Sequence, residues 1–135
     1  MMFNPAESID FTGNTGPFVQ YTHARIQSVL RKSKEMNFDA WDNQLSVNEK
    51  EKSLMKLIYN YPDVITNASL NYSPAQIASF AFDLAKEYNQ FYHDNMILQE
   101  TDRVKASFRL DLSELTAKII KSSMYLLGIE VPNRM

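Results

Sequence analysis

The fold is decided by residues 13–32, GNTGPFVQYTHARIQSVLRK. Gly13 and Gly16 permit backbone angles that other residues avoid, and Pro17 suits the first position of a helix, where its missing N–H is not needed. The spacing of apolar residues predicts a helix from about Pro17 to Met36. Its apolar face would carry Phe18, Ile26, Val29 and Leu30, and its polar face Tyr21, Arg25, Ser28 and Lys32.

A second helix is predicted after a polar break. Ser46 and Glu49 fit a capping box, in which the serine accepts from the first turn and the glutamate reaches back. Because proline disrupts a helix interior, this helix is expected to end at Pro62. Residues 63–71 are expected to add another short helical segment.

The second half of the chain is expected to be helical as well. Ser73, Pro74 and Gln76 fit another capping box, which starts a helix that reaches about residue 93. A final helix is predicted from about residue 102 to residue 127, with Gly128 as its C-terminal cap. No strand pattern competes, so the prediction is an all-α fold, an irregular bundle of about five helices.

Bulk properties restrict the class of protein. A chain of 135 residues is one domain, divided here into a lead-in loop (residues 1–16) and a helical domain (residues 17–135). The absence of cysteine excludes disulfides and thiolate metal sites, and no apolar run is long enough to cross a membrane. With no signal-peptide pattern, we expect a cytoplasmic protein. The net charge of −2 excludes coating of nucleic acid by bulk charge, but not recognition of a few exposed bases.

Catalytic chemistry is not indicated. The two histidines, His23 and His93, have no partner at metal-ligand spacing, and no phosphate-binding loop or serine nucleophile pattern is present. The carboxylates are scattered, so no acid–base pair stands out. We therefore predict no catalytic residues and no metal site.

Aromatic residues form the main candidate binding feature. Tyr88 and Tyr92 are four residues apart, so they share a helix face, and Phe91 is expected to point inward. Either the tyrosine rings pack at the edge of the core, or they stack on unpaired bases. Composition alone favours packing. Asn89 could have a structural role instead, because an amide between packed helices often ties down a neighbouring segment.

Basic residues concentrate in two segments. Helix one carries Arg25, Arg31, Lys32 and Lys34, and the C-terminal region carries Lys118, Lys121 and Arg134. Charge runs are usually solvated faces. If the two segments lie side by side, they would instead hold phosphates. Gln20 and Arg25 have planar donors suited to base edges, or they could brace the loop at residues 13–17.

Three blocks of sequence resemble the C-terminal, DALR-type anticodon-binding domain of arginyl-tRNA synthetase. Residues 13–32 are similar to the pattern G-x-T-G-P-Y-x-Q-Y-A-x-A-R-x-x-S-(I/V)-L-R-K, with Phe18 for Tyr and Thr22 for Ala. The segment LAKEYNQFY, residues 84–92, is similar to the family's L-A-x-x-(F/Y)-N-x-F-Y. The ending LLGIEVPNRM resembles LLGI-x-x-P-E-R-M, with Asn133 for Glu.

This resemblance implies a fragment that recognises tRNA and lacks the catalytic site. Its partners would be the anticodon stem-loop of arginine tRNA, with a central cytosine, and the catalytic domain of the same chain. The parent enzyme would join arginine to tRNA with ATP and Mg, whereas the fragment would need no cofactor and be monomeric. The resemblance makes Tyr88 and Tyr92 base contacts and brings Met135 against the anticodon. The predicted site comprises Tyr88, Tyr92, Met135, Gln20, Tyr21, Arg25, Lys32 and Arg134.

Two alternatives stay open at this point. One is a free-standing helical RNA-binding module, and the other is a protein-interaction module whose aromatic face docks a partner helix.

Overall fold

The computed structural model describes residues 16–135 as four α-helices, with no strand in that range. They are α1 (Gly16–Ser33), α2 (Glu49–Leu70), α3 (Pro74–Asp94) and α4 (Arg103–Leu126). The predicted all-α bundle is confirmed. The predicted lead-in loop falls almost entirely on residues 1–15, outside the described range, and Gly16 is already helical.

The helix α2 corrects two sequence predictions. Its N-terminal cap is Asn48, whose side chain accepts from Glu51 N while Glu51 reaches back, so the capping box lies two residues beyond the Ser46 and Glu49 expected. The helix also continues through Pro62. Before the proline, Tyr61 stacks on Phe80 with ring centroids 5.3 Å apart, and after it Val64 packs against the core. The expected break is therefore absent.

The ends of α3 and α4 largely match their predictions. Pro74 occupies the first turn of α3, but the Ser73 side chain makes no capping hydrogen bond. Asp102 caps α4 by accepting from Val104 N and Lys105 N. After α4, Gly128 has a φ of 76°, as expected for a glycine that ends a helix.

The core lies between all four helices, and α1 and α3 are neighbours in it. Buried apolar residues of α1 and α3 face α4, and Phe18 packs on Phe82 with centroids 5.7 Å apart. Farther along, Arg25 lies 4.7 Å from the ring centroid of Tyr92. Since both residue numbers rise together, α1 and α3 run in the same direction. Two leucines of α4, Leu115 and Leu126, lie outside this core and are exposed.

A buried ion cluster fixes the loop between α3 and α4. Arg109 Nε donates to Glu51 at 3.1 Å, and its Nη1 donates to Glu100 at 3.2 Å and to the backbone oxygen of Met96 at 2.7 Å. Arg109 and Glu51 are both buried, so their pairing avoids an isolated charge in the core. The cluster gives the loop at residues 95–102 a defined position.

Candidate functional site

A cleft of about 660 Å³ opens between α1, the C-terminal end of α3, the loop that follows α3 and the C-terminal tail. We call it the α1–α3 cleft. The polar face of α1 lines it, as the helical spacing predicted, with Tyr21, Arg25, Ser28 and Lys32. The tail contributes Arg134 and Met135. Four separate parts of the chain therefore meet at one concave surface.

One guanidinium group that lines the cleft lies over two aromatic rings. The Cζ of Arg25 lies 5.1 Å from the ring centroid of Tyr21 and 4.7 Å from that of Tyr92. Such cation–π contacts favour a planar cation over an aromatic face. The two tyrosine residues are 46% and 37% exposed, respectively, so each presents surface to solvent. The arrangement offers flat, partly apolar surfaces beside a fixed positive charge.

Two hydrogen bonds to neighbouring side chains fix the orientation of the Arg25 guanidinium. Its Nη1 donates to the side-chain oxygen of Asn89 at 2.6 Å, and its Nη2 donates to the Tyr21 hydroxyl at 3.2 Å. Asn89 is held in turn, because its amide donates to Thr22 Oγ1 at 2.8 Å and to the Ala85 oxygen at 2.7 Å. The expected tying role of Asn89 is confirmed, and Arg25 is oriented before any ligand arrives.

The electrostatics of the cleft are positive. Arg25, Arg31, Lys32 and Arg134 line it, and among the described residues of its wall none is Asp or Glu. A concave surface of one sign attracts ligands of the opposite sign. The chain as a whole carries a charge of −2, so the positive character is local.

The loop after α3 forms a wall of the cleft that the sequence analysis missed. Met96 is 58% exposed there, and its backbone oxygen is held by Arg109. Asn95 accepts from the Asn48 side chain at 2.6 Å and donates to the Phe91 oxygen, which fixes the start of the loop. No sequence signal marks this wall, since it depends on partners 47 residues away along the chain.

The structure brings most of the predicted site residues together. The α1–α3 cleft contains Tyr92, Met135, Tyr21, Arg25, Lys32 and Arg134. Met135 is 69% exposed. Gln20 does not line the cleft but donates to the backbone oxygen of Glu130 at 2.9 Å, so it braces the tail. The alternative expectation, that it braces the loop at residues 13–17, falls mostly outside the described residues.

Tyr88 is a correction. Its side chain is 0% exposed, its ring packs on Phe91, and its hydroxyl donates to Ser113 Oγ at 3.0 Å. Burial raises the pKa of the Tyr88 hydroxyl, more than the hydrogen bond to Ser113 lowers it. Although Tyr88 and Tyr92 share one side of α3, only Tyr92 reaches the surface. Tyr88 is a core residue without surface for a base.

The two histidines have different surroundings. His23 is buried against the tail, where its Nδ1 lies 2.9 Å from the Pro132 oxygen, whereas His93 lies at the cleft. Across residues 16–135, no group of three or more His, Asp or Glu side chains is placed to hold a metal ion. None of the described helices is long and apolar enough to span a membrane.

Comparison with known proteins gives a family match over most of the chain. Residues 19–135 match the sequence profile described as the DALR anticodon binding domain. Proteins named arginine–tRNA ligase are similar over the whole chain, with 53% identity over 138 aligned residues in Parabacteroides distasonis. The ligase of Flavobacterium psychrophilum is 54% identical over 136 residues. The chain spans 23% and 22% of the length of these two relatives, respectively.

Solved structures show the same fold. Arginyl-tRNA synthetase of Thermus thermophilus matches 98% of the chain, with a TM-score of 0.80 and 28% sequence identity. The arginyl-tRNA synthetase of Plasmodium falciparum also matches 98% of the chain, with a TM-score of 0.76 and 27% identity. In each case the match covers 23% of the solved chain.

Proposed function

The chain belongs to the DALR anticodon binding domain family, and on that premise we propose that it binds the anticodon stem-loop of an arginine tRNA. The observation that carries the proposal is the stack of Tyr21, Arg25 and Tyr92 in the α1–α3 cleft. Single-stranded RNA loops present unpaired bases, and proteins recognise these bases by aromatic and guanidinium stacking combined with edge hydrogen bonds. The cleft supplies both kinds of group.

Tyr92 and Tyr21 are the proposed stacking surfaces. Their rings are held by Arg25 yet stay partly exposed, so a base can cover them at little conformational cost. Met135 and Met96 add exposed apolar surface to the same cleft. A flat base between tyrosine and methionine side chains would be desolvated on both faces, which is what stacking requires.

Arg25 is the proposed reader of a base edge. A guanidinium has five N–H donors, and Asn89 and Tyr21 each accept one from Arg25. The other donors suit a base edge with two acceptors, such as O2 and N3 of the central cytosine. A base that presents a donor there would leave Arg25 without a partner, and this penalty would supply the discrimination.

The basic residues Lys32, Arg31 and Arg134 are proposed to hold phosphates. They surround the stack without an acidic side chain among the described lining residues. Contacts of this kind position the RNA and make binding sensitive to salt, while the sequence is read by the base contacts.

The whole protein is proposed to be an arginine–tRNA ligase, of which this chain is the recognition part. The chain spans 22–23% of its named relatives, so a catalytic domain would come from the rest of the protein. That domain would use ATP with Mg to join arginine to the tRNA. The 135-residue chain alone is expected to recognise tRNA without catalysing the reaction.

Titration with two anticodon stem-loops tests the proposal. One stem-loop carries an arginine anticodon, and in the other the central cytosine is replaced by uracil. We expect tighter binding of the first, and weaker binding of both as salt rises. Failure of the folded chain to bind either stem-loop would contradict RNA recognition by this chain and favour a protein-interaction module.

A further inference from the structure

The C-terminal tail is held on α1 by its backbone. After Gly128, residues 129–135 run along α1 without forming a helix or strand. Three α1 side chains donate to tail carbonyls, each at 2.9 Å. Gln20 Nε2 donates to the oxygen of Glu130, His23 Nδ1 to that of Pro132, and Arg31 Nη1 to that of Asn133.

His23 is the buried member of this set. Its side chain is 1% exposed, and a carbonyl oxygen can only accept, so the hydrogen must be on Nδ1. Burial lowers the pKa of His23 and so favours the neutral ring, more than the hydrogen bond to Pro132 raises this pKa, and the charge of Lys121 lowers it further. The imidazole therefore acts as a fixed donor beneath the tail.

Backbone anchoring leaves the last two side chains available. The carbonyls that accept belong to residues 130, 132 and 133, and the next two residues, Arg134 and Met135, line the α1–α3 cleft. Partly buried Ile129 and Val131 pack against the core and support the same path. The tail is thus a wall of the cleft whose position depends on α1.

We propose that Gln20, His23 and Arg31 are positioning residues that order the C-terminal tail. Arg134 and Met135 are thereby held in the wall of the α1–α3 cleft that contacts RNA. This inference rests on the proposed function for its RNA-binding part. Chain ends are ordered only when something ties them down. A tail that is ordered beforehand does not lose its conformational freedom upon binding, and affinity rises accordingly. The role of Gln20 is therefore to hold the tail, not to contact a base.

The test begins without RNA, on the complete 135-residue chain. His23→Leu removes the Nδ1 donor at similar size, and His23→Asn places an amide N–H near the same point. Backbone ¹⁵N relaxation should show greater ps–ns motion at residues 130, 131 and 133–135 in the leucine variant and near-parental motion in the asparagine variant. Gln20→Ala, at a less buried position, gives a second measurement if His23→Leu does not fold. If the tail motion in His23→Leu equals that of the parent chain, the proposal is overturned. If His23→Leu does not fold, the same result in Gln20→Ala overturns it.

The second readout is affinity for the arginine anticodon stem-loop. His23→Leu should weaken binding several-fold, and it should have almost no further effect in a chain that lacks residues 134–135. A full additional loss in the shortened chain would contradict positioning through the tail. If the tail loosens as expected but the parent chain binds no stem-loop, the tail anchoring stands and the proposed RNA recognition fails.

Discussion

Asn89 on α3 accepts a 2.6 Å hydrogen bond from Arg25 on α1, and the same asparagine donates to Thr22 one turn earlier on α1. One amide thus joins two helices and orients the guanidinium that lies between Tyr21 and Tyr92. Since Arg25 is held by a neutral partner, its positive charge is not cancelled within the cleft. The site is organised by the packing of α1 on α3.

Asn89→Ala should weaken binding of the arginine anticodon stem-loop about tenfold, because a hydrogen bond to a charged group contributes about 1.5–3 kcal/mol and Arg25 would lose its anchor. Fluorescence anisotropy with a labelled stem-loop measures the change. Gln90→Ala is the matched control, since Gln90 is exposed on the same helix and accepts from Lys50, away from the cleft. Equal affinities of the two variants would argue against orientation of Arg25 by Asn89.

Tyr92→Ala should raise the Kd by about 5- to 150-fold, because stacking on one base is worth about 1–3 kcal/mol. Tyr92→Phe keeps the ring and should retain most of the affinity. Direct titration of each variant gives the comparison. Parental binding by Tyr92→Ala would remove this ring from the proposed interface.

Tyr88→Phe should leave RNA binding unchanged while lowering the free energy of unfolding by about 1 kcal/mol, the usual net value of one hydrogen bond. The hydroxyl that it removes donates to buried Ser113 and does not reach the cleft. Urea unfolding and stem-loop titration separate the two effects. A loss of affinity without a loss of stability would restore Tyr88 as a contact residue.

Lys32→Ala should reduce the slope of log K against log salt by about 1, as expected when one phosphate contact is lost. Its effect should be the same for both anticodons, because a phosphate contact carries no sequence information. Lys56→Ala is the control, as Lys56 is exposed on α2 and does not line the α1–α3 cleft. A similar slope change in the control would indicate a general charge effect.

The stability of the chain should fall as pH decreases below the ordinary His23 value of 6.5. Burial lowers the pKa of His23 in the folded state. As the pH falls, the unfolded state therefore binds a proton at this histidine first, and the free energy of unfolding decreases until the pH passes the folded-state pKa. Urea unfolding between pH 7.5 and 5, with His23→Asn as the non-titrating comparison, isolates this contribution. An identical pH dependence in both chains would assign the effect to other groups.

The sequence predicted the helices and the face of α1 that lines the site, but it did not predict which tyrosine rings are buried and which are exposed. Helical spacing placed Tyr21, Arg25, Ser28 and Lys32 on one face, and all four line the cleft. Helical spacing also predicted that Tyr88 and Tyr92 share one face of α3. One turn apart on that face, however, Tyr88 is buried in the core and Tyr92 is partly exposed. Spacing gives direction around a helix, whereas burial depends on where the neighbouring helices end.

Long-range partners explain the other differences. The capping box of α2 lies at Asn48 and Glu51, where Glu51 also pairs with Arg109. Pro62 stays within α2, where the stacking of Tyr61 on Phe80 supports the helix. Gln20 holds the tail through a carbonyl 110 residues away along the chain. The contacts with Arg109, Phe80 and Glu130 join residues far apart in the chain, so they cannot be read from local sequence.

The most direct test of the account is to map the RNA contact surface by NMR. The ¹⁵N-labelled 135-residue chain is titrated with the arginine anticodon stem-loop, and backbone and arginine side-chain shifts are followed. We expect the shifts to concentrate at Tyr21, Arg25, Tyr92, Met96 and Met135. Shifts centred on the outer surface of α2, around Met55 and Tyr59, with the α1–α3 cleft unchanged, would contradict it.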